Sequence, residues 1–69
     1  MAEQTQQQHR LIRLPDVLKR VGLSRTSVYT RIQAGTFPSP IKMGYSSRWV
    51  ESEVQAWIDQ QIAATRDSA

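Results

Sequence analysis

The sequence predicts a small, mainly α domain with a β-hairpin, a winged helix-turn-helix of three helices, on three observations. Two short helical segments meet across a glycine-containing turn at residues 22–24. Two apolar alternations then flank a turn-forming Gly44-Tyr45-Ser46-Ser47. Last comes a helix whose apolar residues recur with the 3.6-residue period.

Taken in chain order, residues 1–9 are rich in Gln and nearly free of large apolar side chains, which marks them as a disordered arm. Arg10 to Leu14 alternate charged and aliphatic residues and read as a short extended segment leading into Pro15. Proline has a preset φ and no N–H to lose, so Pro15 fits the first turn of a helix over about 15–21, with Asp16 beside it at the positive end of the dipole. Val17, Leu18 and Val21 share one face, and Gly22 stops the helix. Ser24 is a natural N-cap for a second helix over about 25–34, and Gly35 can supply the left-handed residue that ends it.

On a helical wheel, Val28 and Ile32 set the buried direction of that second helix, while Thr26, Ser27, Thr30, Gln33 and Ala34 face outward. Pro38 and Pro40 exclude helix from the next stretch. A hairpin follows from Ile41-Lys42-Met43 and Arg48-Trp49-Val50, with an apolar side expected to rest on the helices and a basic side left over. The third helix begins at Glu51 or Ser52 and ends near Ala64, with Val50, Val54, Trp57, Ile58 and Ile62 on its core face. Trp49 and Trp57 are read as core residues. Residues 10–64 are thus the folded domain and 65–69 a flexible tail.

Composition narrows the function. A chain of 69 residues holds one domain, and its lack of cysteine leaves neither disulfide nor thiolate metal site to stabilise it. No apolar run is long enough for a membrane span and the first residues lack the apolar core of a signal peptide, so a cytoplasmic, nucleoid-associated protein without membrane contact is expected. Catalytic and metal constellations are missing: the one histidine, His9, lies in the arm, the acids are scattered, and there is no glycine-rich phosphate loop. No enzyme, cofactor or metal is expected. The net charge of +3 conceals an asymmetry. Arg10 to Arg48 carries eight bases against one acid, a net of +7, whereas Trp49 to Ala69 carries one base against four acids, a net of −3. The first part is suited to a polyanion.

A helix that is polar on its outward face, short in its side chains and held on a small apolar scaffold fits the major groove of B-form DNA, which admits one α-helix. Backbone contacts are assigned to Ser24, Arg20 and Tyr29, with Ser27 at the same helix start, where free N–H groups favour phosphate. Base reading is assigned to Arg25, Thr26, Thr30 and Gln33, since Arg can bond guanine and Gln adenine in bidentate fashion. On the hairpin, Lys42, Ser46, Ser47 and Arg48 are the candidates for the adjacent backbone or minor groove. Each has a structural alternative: Arg25 as a surface cap, Arg31 paired with acids of the third helix, Tyr29 as packing, Arg48 stacked on Trp49.

These residues also carry a family resemblance. Gly22, Ser24, Arg25, Ser27, Tyr29, Ile32, Gly35, Phe37, Pro38, Pro40 and Gly44, followed by Trp49, Glu53, Val54 and Trp57, resemble the pattern of the AlpA-type phage and prophage regulators, relatives of excisionases and MerR-like winged helices. The resemblance implies a DNA-binding winged helix of prophage or genomic-island type that regulates transcription or, as an excisionase-like factor, bends attachment-site DNA for an integrase. It departs at the wing tip, where many relatives carry an Arg and this chain has Tyr45-Ser46-Ser47 before Arg48. From another class, a protein- or RNA-binding antitermination module would use the same basic face. Single-strand RNA readers need exposed aromatic platforms, and only Tyr29 and Tyr45 are uncommitted to the core here, which favours duplex DNA. Double-stranded DNA is the expected partner; integrase, RNA polymerase and a second copy on DNA are the further candidates.

Overall fold

The computed structural model describes residues 9–67, so the expected N-terminal arm lies outside the described residues except for His9. The elements are β1 (Leu11–Ile12), α1 (Leu14–Val21), α2 (Arg25–Gln33), β2 (Ile41–Met43), β3 (Ser46–Val50) and α3 (Glu51–Asp67). Three helices thus accompany a small antiparallel sheet of strand order β1-β3-β2, the winged helix-turn-helix expected from the sequence.

Local chemistry accounts for the boundaries. The α1 N-terminus uses the carbonyl of Arg13, which accepts from Val17 N–H at 3.1 Å, with Pro15 in the first turn. Gly22 closes the helix in the left-handed region at φ 71°, its N–H donating to Leu18 O. Ser24 sits in extended backbone and its Oγ accepts from Ser27 N–H at 3.1 Å, the cap the sequence predicts. Ser24→Ala should therefore cost about 1 kcal/mol in denaturant unfolding; unchanged stability would show that this bond does not hold the start of α2. The other end of α2 is a Schellman arrangement, in which Thr36 N–H donates to Arg31 O and Gly35 N–H to Ile32 O.

The hairpin turns on two residues, Gly44 and Tyr45, because Met43 pairs with Ser46. Gly44 at φ 67°, with no positive φ at Tyr45, matches the type II′ turn that suits the strand twist. Two features exceed the sequence reading. The extended segment before Pro15 joins the sheet as β1, pairing Leu11 with Val50 and Ile12 with Trp49. In addition, α3 reaches Asp67, past the expected end near Ala64.

The core is small: Ile12, Val17, Val28, Phe37, Trp49 and Val54 are buried, with Leu14, Leu18, Val21, Leu23, Ile32, Trp57 and Ile58 packed around them. Both tryptophans spend their indole N–H groups on backbone, Trp49 on Pro38 O at 3.1 Å and Trp57 on Thr36 O at 2.6 Å. Phe37 meets Trp57 edge to face at 4.8 Å between centroids. These contacts tie the loop after α2 to the sheet and to α3, which fixes where α2 stands.

Two expectations are corrected. Ile41 and Met43 do not rest on the helices; both are exposed. The register explains this: Ile41 opposes Arg48 and Met43 opposes Ser46, so they share the outer face of the sheet, while Lys42 and Ser47 lie on the face of buried Trp49. The apolar side of β2 and the apolar side of β3 are opposite faces. Ile62, placed on the core face by its period, is likewise exposed, because the core ends one turn earlier, at Ile58.

Candidate nucleic-acid interface

The candidate site is built on α2. Val28 is completely buried and Ile32 packs beside it, which turns the opposite side of the helix outward. Ser24, Arg25, Thr26, Tyr29, Thr30 and Gln33 are all exposed, and no acidic residue occurs in the helix. Ser27 is half-buried and its backbone N–H is taken by the cap. Tyr29 combines two roles: its ring stands edge-on to Trp49 at 6.3 Å, and the side chain still reaches the surface. The packing alternative for Tyr29 and its place beside the candidate contacts are therefore compatible.

The residues around α2 are arranged less uniformly. Arg20, on the last turn of α1, forms an ion pair with Glu51 at 2.6 Å, so a phosphate contact would have to share or break that pair. Nothing in the local sequence signals this pairing, which joins residues 31 positions apart. Arg31 is half-buried and forms no ion pair with α3 among the described residues. On the hairpin, Lys42 and Ser46 are exposed and Ser47 and Arg48 half-buried. The guanidinium of Arg48 donates to Ser47 O at 3.0 Å and lies across the sheet from Trp49, which leaves no stack on that ring. The four hairpin candidates divide between two faces, Lys42 and Ser47 on one, Ser46 and Arg48 on the other.

Chemically, the surface offers hydroxyl, amide and guanidinium groups on a rigid rod. An α-helix with side chains is about 10–12 Å across, the width of a B-form major groove. Among the described residues no group of His, Asp or Glu could hold a metal ion, and no helix is long and apolar enough to cross a membrane. Tyr45, left outside the core by the sequence but given no contact there, projects fully into solvent at the hairpin turn. A turn position gives no periodic signal to mark it.

Residues 10–62 match the family model of the prophage CP4-57 regulatory protein (AlpA). The chain is 38% identical over 60 residues to the uncharacterized protein ORF88 of Enterobacteria phage P4, spanning 86% of this chain and 68% of that one. It is 30% identical over 59 residues to the DNA-binding transcriptional activator AlpA of Escherichia coli (strain K12), spanning 75% of this chain and 84% of that one. No solved structure matches the chain.

Proposed function

Since the chain belongs to the AlpA family of prophage regulatory proteins, we propose that it is a sequence-specific double-stranded DNA-binding protein that regulates transcription and works in the cytoplasm, on the nucleoid. One observation carries this reading: the outward face of α2 is exposed, polar, free of acids and anchored from behind by Val28 and Ile32. A protein that only used α2 to fill its core would have no need of that composition there. Arg25, Thr26, Thr30 and Gln33 read base edges in the major groove, and Ser24, Ser27, Tyr29 and Arg20 hold the phosphates on either side. Lys42, Ser46, Ser47 and Arg48 steady the complex from the hairpin. The described residues offer binding chemistry, and the reading assigns no catalytic step.

Transcriptional control is favoured over an excisionase-like role because the relative from Escherichia coli bears the name of a transcriptional activator. Duplex DNA is favoured over RNA because the exposed aromatics, Tyr29 and Tyr45, stand on different elements and form no continuous stacking platform.

The test is Arg25→Ala against a footprinted site. It should weaken binding to the preferred duplex by about 1–3 kcal/mol and flatten the base preference at one position. An equal loss on every sequence would make Arg25 a phosphate anchor, and no loss at all would remove α2 from the interface.

A further inference from the structure

The helical period of α3 outlasts the core it serves. The last of its residues packed on the core is Ile58, yet the helix continues from Asp59 to Asp67. A helical stretch this short is not stable in water by itself, because helices in proteins are held mainly by the packing of an apolar face. The extension keeps one large apolar side chain, Ile62, at 44% exposure. Around it lies an open groove of about 300 Å³ lined by Gln61, Ile62, Thr65 and Arg66, all of them from α3.

The charges on this surface are complementary to themselves. Asp59 and Arg66 are seven residues apart and therefore stand on the same flank of Ile62. Both are exposed, and neither joins an ion pair among the described residues. At ~1.5 Å of rise per residue they are about 10 Å apart along the axis, too far to pair within one helix. The Asp59 carboxylate is held on this flank by Gln55, whose side-chain amide donates to Oδ1 at 3.0 Å. Laid antiparallel about a two-fold axis between Ile62 and Ala63, two copies of α3 bring residue 59 of each opposite residue 66 of the other. Two reciprocal Asp–Arg contacts then bracket a pair of Ile62 side chains. A parallel arrangement puts the charges of the two copies on opposite flanks and forms neither contact.

We propose that the end of α3, from Asp59 to Arg66, is a self-association surface on which two copies pack antiparallel through Ile62, with Asp59 of each facing Arg66 of the other. The self-complementarity selects a second copy as the occupant: the contact is isologous, residue 59 meeting 66 and 66 meeting 59. None of its residues is used by the DNA-binding reading, which it does not require. Two helical turns from each copy fall below the roughly 1,200 Å² total of a stable interface, so the dimer is weak in free solution. It becomes consequential where two copies are held side by side, because effective concentration then replaces bulk concentration.

The chain contains no cysteine, so a single introduced thiol reports the contact. Ile62→Cys brings two thiols together at the two-fold axis, within the reach of a disulfide, whereas Gln60→Cys places them on the opposite side of the helix. All the positions substituted are exposed, so the fold is preserved. Under mild oxidation without DNA, the Ile62→Cys chain should form a covalent dimer faster than the Gln60→Cys chain. Adding Asp59→Arg should slow this trapping by about 2- to 25-fold through the loss of two exposed ion pairs, and adding Arg66→Asp as well should restore it. Equal trapping at the two positions, indifference to Asp59→Arg, or no recovery with Arg66→Asp would each overturn the proposal. So would a wild-type sedimentation coefficient that stays constant up to millimolar concentration. Failure of the DNA-binding reading would instead show as lack of retardation of any duplex, which these measurements do not read.

Discussion

Trp49→Ala is expected to leave the chain largely unfolded at ambient temperature. Trp49 is 1% exposed on the central strand of the sheet, opposes Ile12 of β1, supports the ring of Tyr29 and donates its indole N–H to Pro38 O. Truncating a buried aromatic of this size costs about 3–5 kcal/mol, and by the per-residue range for native proteins a domain of this length is stable by roughly 3–10 kcal/mol. Loss of the indole also leaves Pro38 O without its donor, so Trp49→Phe should be intermediate, at about 1–3 kcal/mol. Circular dichroism with thermal unfolding reads both variants. A cooperative Trp49→Ala transition close to that of the wild type would mean that Trp49 is not the centre of the scaffold.

The second large effect is that of salt. Contacts with about 4 to 6 phosphates release counterions, so the logarithm of the affinity should fall against the logarithm of salt with a slope of about −4 to −5. Between ~50 and ~200 mM salt the affinity then drops roughly 300- to 1,000-fold. The charge distribution motivates this size: the first two thirds of the folded part concentrate the bases, and among the described residues one of them, Arg20, is committed to an internal ion pair. Titration of a fluorescent duplex at several salt concentrations measures the slope. A flat response would contradict a phosphate-dominated encounter and leave the basic residues as a solvating surface.

What could be read in the sequence, and what could not, follows from the range of the interactions involved. Helix ends are short-range events. Ser24 and its partner Ser27 are three residues apart, and Gly22 and Gly35 adopt the left-handed backbone that their type allows, so both helices could be bounded to within a residue or so. The outward face of α2 was legible for the same reason: a regular helix fixes which side chains oppose Val28 and Ile32.

The sheet is different. Alternation sorts the residues of one strand into two faces but does not say which face of its partner each one joins. That is decided by register, and here the two-residue turn at Gly44-Tyr45 sets Ile41 beside Arg48. The pairing of Leu11 with Val50 spans nearly forty residues and has no local signature, as is true of the Arg20–Glu51 pair. Ile62 shows the converse limit: the helical period continues after the core it would face has ended. The hairpin is accordingly the part of the candidate interface where the structure changes the picture most, dividing Lys42 and Ser47 from Ser46 and Arg48 and leaving Ile41, Met43 and Tyr45 uncovered.

The most direct measurement of the central claim is a titration of the ¹⁵N-labelled chain with its footprinted duplex, following backbone and side-chain resonances. Arg25, Thr26, Thr30 and Gln33 should shift most, Val28 and Ile32 should move little, and a scrambled duplex of equal length should perturb mainly the phosphate contacts. Perturbations confined to α3, with the outward face of α2 unmoved, would contradict it.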